Sequence, residues 1–177
     1  MACEAIDRVV DILQAGGPAA GPVRSLIGCT VAEIQHLMQA QGLHHLPETY
    51  RCFLARFGTA AGGFLARDDG SDWRYPDLLK VRTVAKRILE DNGHPFTLDP
   101  TDVVIAQYLD QQFHFLRPGR GDPHDPAVWT YLEGYAAPVK VSPRYSEFLL
   151  GLAQEFTTGT PLFDHDYFAG VARRGSP

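Results

Sequence analysis

From Asp102 to Tyr135 the chain reads DVVIAQYLDQQFHFLRPGRGDPHDPAVWTYLEGY, and no other stretch limits its possible folds as tightly. Val103–Tyr108 is an apolar run rich in β-branched residues, Phe113–Leu116 is a second run, and Val128–Leu132 is a third. Such runs favour strands. Only Leu109-Asp110-Gln111-Gln112 separates the first two, so they are expected to form an antiparallel hairpin. Side chains alternate along a strand, which places Val103, Ile105 and Gln107 on one face and Val104, Ala106 and Tyr108 on the other. Both sets are largely apolar, so this strand is expected to be central and covered on both faces. After Arg117 and Pro118 a long connection runs to Ala127, and Val139–Val141 supplies a further short strand. A sheet of this kind needs apolar cover to be stable.

Helices supply that cover. Ile6, Val9, Val10 and Leu13 have the i, i+3, i+4, i+7 spacing of a helical face, and Gly16-Gly17-Pro18 ends the run. Thr30 and Glu33 make a capping-box pattern ahead of a second helix whose stripe is Ile34, Leu37 and Met38, with Gly42 as its C-terminal cap. The third helix is the plainest. Pro47 is placed at its first turn, Tyr50, Phe53, Leu54 and Phe57 share one face, and Gly58 stops it. That aromatic stripe reads as core. A strand at Phe64–Ala66, a turn at Asp68-Asp69-Gly70 and a second strand near Trp73 are expected next. A helix over Leu79–Asp91 follows, with Val81, Val84, Ala85, Ile88 and Leu89 inward. The last helix spans Pro143–Phe156, with Ser142 as its N-cap and Tyr145, Phe148, Leu149 and Leu152 inward.

At 177 residues, 45% apolar and 21% charged, the chain fits one ordinary folded domain. No run approaches the ~18 apolar residues of a membrane span. The start, MACEAIDRVVDILQ, mixes charged and apolar residues and lacks the basic and apolar regions of a signal peptide. Cys3, Cys29 and Cys52 are odd in number and far apart, which argues against a disulfide framework and a zinc ribbon and for a reducing cytoplasm. A net charge of −5 argues against nucleic acid as a partner and admits a basic protein partner.

The ordered set of Leu46-Pro47-Glu48-Thr49-Tyr50 with Phe53-Leu54 and Gly58, then Asp102–Phe115, Val128–Glu133 and Tyr145-Ser146-Glu147-Phe148-Leu149 resembles the SUKH superfamily, the Smi/Knr-type domain. The resemblance covers roughly residues 30–156. It implies an α+β fold, a mixed, largely antiparallel sheet flanked by helices, over residues 30–158. Residues 1–29 are then an accessory helix and linker, and 159–177 a tail. It implies no catalysis and no cofactor. Many bacterial members are immunity proteins that bind and neutralise a toxin, often a nuclease or deaminase; eukaryotic relatives are partner-binding regulators.

Enzyme chemistry finds little support in the residues. GxSxG, P-loop and GxGxxG patterns are missing. His44-His45 and Asp164-His165-Asp166 are the best local metal groups, but neighbouring ligands cannot close a site without others converging on them. Arg120-Gly121-Asp122 reads as a turn. A partner surface is expected on the polar, Gly/Pro-rich segments: Asp68, Asp69, Asp72, Trp73 and Tyr75; Asp110 and Gln111; and Arg117, Arg120, Asp122 and Asp125. Carboxylates there steer a basic partner and mimic phosphates against a nuclease, while aromatic residues anchor it. The expected function is a non-catalytic, immunity-type binding protein. The alternatives are a regulatory scaffold domain and a small hydrolase using His and Asp side chains.

Overall fold

The computed structural model describes residues 2–65 and 71–160. The expected α+β fold is present. Five strands form one antiparallel meander in the order β3 (Ser71–Asp72), β4 (Val103–Tyr108), β5 (Gln112–Leu116), β6 (Val128–Leu132) and β7 (Val139–Ser142). A separate ribbon pairs β1 (Leu26–Ile27) with β2 (Ala60–Ala61). Every strand pairing among the described residues is antiparallel. The helices are α1 (Ala2–Ala15), α2 (Val31–Gln41), α3 (Glu48–Phe57), α4 (Val81–Asp91) and α5 (Tyr145–Thr158).

Val103 to Gln107 of β4 are all buried, as a central strand requires. The strict alternation expected along it breaks at Ile105, where the register with β5 shifts between Val104 and Ala106. On β5, Phe113 and Phe115 point to one face with Tyr131 of β6, and His94 and Phe96 from the segment after α4 lie against them. His114 points to the other face and meets Trp73 and Phe148 of α5. The sheet is therefore covered on both sides. Beside β4, where β3 has already ended, the Gln41 side chain donates to the Val104 carbonyl at 2.8 Å and accepts from its N–H at 3.0 Å.

The sequence signals explain most helix boundaries. The Thr30–Glu33 capping box forms in full, and Gly42 closes α2 at φ 67°, a left-handed backbone that favours glycine. Pro47 is the N-cap of α3 rather than its first residue. Tyr50, Phe53, Leu54 and Phe57 are all at most 1% exposed, and Phe53 and Tyr50 meet Tyr145 of α5 edge-on. A 3-10 turn at Asp77–Leu79 precedes α4. One strand expectation needs correction: Phe64 and Leu65 lie in a turn after β2, while Ala66 is outside the described residues. The expected strand near Trp73 is β3, which ends just before it.

The expectation that α1 is an accessory is corrected by its burial. Ile6, Val9 and Leu13 have no exposed surface and belong to the same apolar core as α3 and α5. Cys3 is bonded to Cys52 of α3, and one turn further along each helix Asp7 pairs with Arg56 at 2.6 Å. These two ties show that α1 and α3 run parallel. Gly28 sits where a Cβ would overlap the Ala55 carbonyl oxygen, so the segment after β1 can approach α3 only as glycine.

Candidate partner-binding surface

The tip of the β4–β5 hairpin is an exposed part of the expected surface. Leu109 and Asp110 are both in the left-handed region, at φ 46° and 54°, which non-glycine residues seldom occupy. Gln111 N–H closes the turn on the Tyr108 carbonyl at 3.0 Å, and Asp110 N–H donates to Gln107 Oε1 at 3.2 Å. This backbone turns Leu109 outward, where it is 52% exposed. Asp110 pairs with Arg87 at 2.6 Å, but both side chains are more than half exposed, so the pair adds little stability. Gln111 and Glu133 are exposed, and the Glu133 N–H donates to the Gln111 carbonyl at 2.9 Å. The tip is thus an apolar knob flanked by two carboxylates. Leu109 was missed by the sequence reading, which took its segment as merely polar. An apolar residue at the centre of a two-strand turn was the available signal.

Trp73 and Tyr75 are not exposed anchors. Trp73 is 9% exposed, with its ring on Phe148 at 6.2 Å and His114 at 5.4 Å. Being large, apolar and directly after a strand, it is drawn into the core. Tyr75 is half-buried, its hydroxyl 3.2 Å from His36 Nδ1. Asp68 and Asp69 lie outside the described residues; Asp72 is placed in β3 by its backbone.

Arg117 and Asp125 are corrected from partner contacts to internal supports. Arg117 is buried, and its Nε and Nη2 reach the two oxygens of the fully buried Asp102 at 3.0 and 2.6 Å. Its guanidinium also lies 5.1 Å from the Phe96 ring centroid, 5.0 Å from Phe115 and 6.0 Å from Trp129. The hydrogen bonds to Asp102 push its pKa further up, against the opposing effect of burial. Arg82, also buried, donates to the carbonyls of Asp99 and Asp102; burial lowers its pKa, and the Asp102 charge acts in the other direction.

Asp125 caps α5. Its oxygens accept from Ser146 N–H at 2.9 Å and Ser146 hydroxyl at 2.5 Å. Arg144, the backbone N-cap, gives no side-chain bond, and the expected cap Ser142 bonds to Arg144 instead. One residue earlier in the same loop, the His124 carbonyl accepts from Thr49 N–H at 3.1 Å and its hydroxyl at 2.9 Å, at the start of α3. Asp122 is exposed and orders this loop by accepting from His124 N–H at 2.9 Å. Arg120 is exposed as well. Arg120 and Asp122 lie beyond the far end of β5, about 17 Å from the hairpin tip at ~3.4 Å per residue, so one compact patch does not join them to Asp110 and Gln111.

Other chemistries meet specific obstacles. Among the described residues no group of three or more His, Cys, Asp or Glu is placed to hold a metal. His44 and His45 are exposed, and Asp164-His165-Asp166 lies outside the described residues. Tyr50 and Tyr145 carry buried hydroxyls with no hydrogen-bond partner among the described residues, and burial raises both pKa values far above the ordinary range, keeping them neutral. The argument from cysteine number and spacing against disulfides is corrected: Cys3 and Cys52, 49 positions apart, are brought together by the packing of α1 on α3. The compartment reading loses its cysteine argument. Cys29 is a buried free thiol whose pKa is raised by desolvation, against a hydrogen bond from Thr59 that lowers it. No helix among the described residues is long and apolar enough to cross a membrane. No protein-family model matches the chain, and no curated protein matches it.

Proposed function

We propose that this chain is a non-catalytic, immunity-type protein of SUKH-like design that works in the cytoplasm by binding a cognate protein toxin, a nuclease or a deaminase. The observation that carries this reading is the hairpin tip, where Leu109 is held outward by an unfavourable backbone between Asp110 and Glu133. A non-glycine pair held at positive φ stores backbone strain, and such strain clusters at functional positions. Carboxylates beside it steer a basic partner, and the leucine supplies desolvated contact once the partner arrives. The SUKH resemblance supplies the class of partner. The order of helices and strands is compatible with it.

The test is growth rescue by co-expression with the toxin domain encoded beside this gene, followed by binding kinetics with the purified pair. Asp110→Lys with Glu133→Lys is expected to slow association at low salt, with the effect shrinking in high salt. Leu109→Ala is expected mainly to raise the dissociation rate. Rescue without any effect of these variants places the interface elsewhere. Absence of both rescue and binding removes the immunity reading.

A further inference from the structure

We infer that the Cys3–Cys52 bond is a reversible redox clasp on the leading turn of α1, opened by a dithiol reductant while the rest of the fold stays intact. Three observations carry this. The bond joins two helices that are far apart in sequence, so it fixes tertiary position. Cys3 is exposed, whereas Cys52 is 6% exposed, so reductant reaches the bond from the α1 side. The remainder of α1 is held independently: Ile6, Val9 and Leu13 are fully buried, and Val23 N–H donates to the Leu13 carbonyl at 2.8 Å beyond the helix end. Opening the clasp therefore frees the first turn and leaves the later turns docked.

The chemistry balances with a dithiol as the two-electron donor. One of its thiolates attacks Cys3 Sγ, forming a mixed disulfide and releasing Cys52 as a thiolate that takes up a proton. The second thiol of the reductant then attacks its own sulfur in the mixed disulfide. Cys3 leaves as a thiol and the reductant ends as a cyclic disulfide. Cys29 takes no part, since burial holds it as a neutral thiol beside Thr59. The clasp stands closed in an oxidising compartment and open in a reducing one.

The experiment uses the full chain, air-oxidised and then treated with dithiothreitol under native conditions. Alkylation after denaturation is expected to count one thiol before treatment and three after. Reduction is expected to lower the melting temperature by about 5–10 °C, the effect of removing a cross-link across a loop of this size. Faster amide exchange is expected only over the first turn of α1. Cys3→Ser, a change at an exposed position, is expected to melt like the reduced protein and to ignore the reductant. Three thiols in the oxidised sample, an unchanged melting temperature, a reductant effect that persists in Cys3→Ser, or exchange that rises throughout the chain overturns the inference.

Discussion

Replacing Arg117 with methionine separates an internal support from a contact surface. Met keeps an unbranched apolar stem against Phe96, Phe115 and Trp129 but removes the guanidinium. The side chains of Arg117 and Asp102 are 8% and 0% exposed, so loss of the cation strands a carboxylate in the interior. Its remaining hydrogen bond is from the Asp99 N–H at 2.9 Å, and the Arg82 guanidinium, which gives it no side-chain bond, is the cation left to act on it. Breaking a buried pair from one side typically costs about 3–5 kcal/mol. For a chain of this size that lowers the melting temperature by about 10 °C. Asp102→Asn is expected to be similarly damaging, because it leaves the buried guanidinium uncompensated, with the half-exposed Asp99 carboxylate at 3.5 Å as its nearest charge. The double variant, with both charges gone, is expected to cost less than the sum by about 1–3 kcal/mol. Urea unfolding of the four proteins measures this, provided the slopes match. Arg117→Met within about 0.5 kcal/mol of the parent, or an additive double variant, refutes the reasoning and returns Arg117 to the surface candidates.

Phe53→Ala is expected to cost about 3–5 kcal/mol, since the ring is 1% exposed and lies 4.7 Å from Phe57; a melt within a degree or two of the parent contradicts this. Asp125→Ala is expected to cost about 1–2 kcal/mol and to speed amide exchange at Ser146 and its neighbours in α5; unchanged exchange there means the cap is not used. Glu33 has its pKa lowered by bonds from Thr30 N–H and hydroxyl, so its charged form is favoured in the fold. Its contribution is present above the ordinary value of 4.5 and is lost as pH falls through the lower folded value. Melting temperatures of the parent and Glu33→Gln are therefore expected to converge on acidification, and a gap that stays constant to low pH contradicts the assignment.

What could be read from the sequence was whatever depends on near neighbours. The α2 capping box is complete within four residues, and the α3 stripe is set by its own 3.6-residue period. The three strand runs declare themselves by β-branched and aromatic content. The errors arose where a residue answers to a distant partner. Asp125 caps a helix that begins 20 positions later, displacing the nearer Ser142. Arg117 is claimed by Asp102, 15 positions earlier, before any partner can claim it. Trp73 is held by Phe148 from the last helix. Cys3 and Cys52 meet only because α1 lies along α3, and no spacing rule records that. In the candidate site, Asp110 and Gln111 were legible as a polar turn; Leu109 became visible through its φ and its exposure.

The side-chain amide of Gln41 has a consequence for behaviour at high concentration. Among the described residues β3 borders β4 only opposite Gln107 and Tyr108, and past that point no described strand answers the main-chain groups on the outer side of β4. By presenting one acceptor and one donor to Val104, Gln41 acts as a single-residue blocking strand fixed to the end of α2. It denies another molecule the foothold from which intermolecular sheets grow. With Gln41 trimmed to alanine, loss of native protein is expected to take the form of concentration-dependent self-association rather than simple unfolding. The residue that finishes a helix thus also answers the strand edge at Val104.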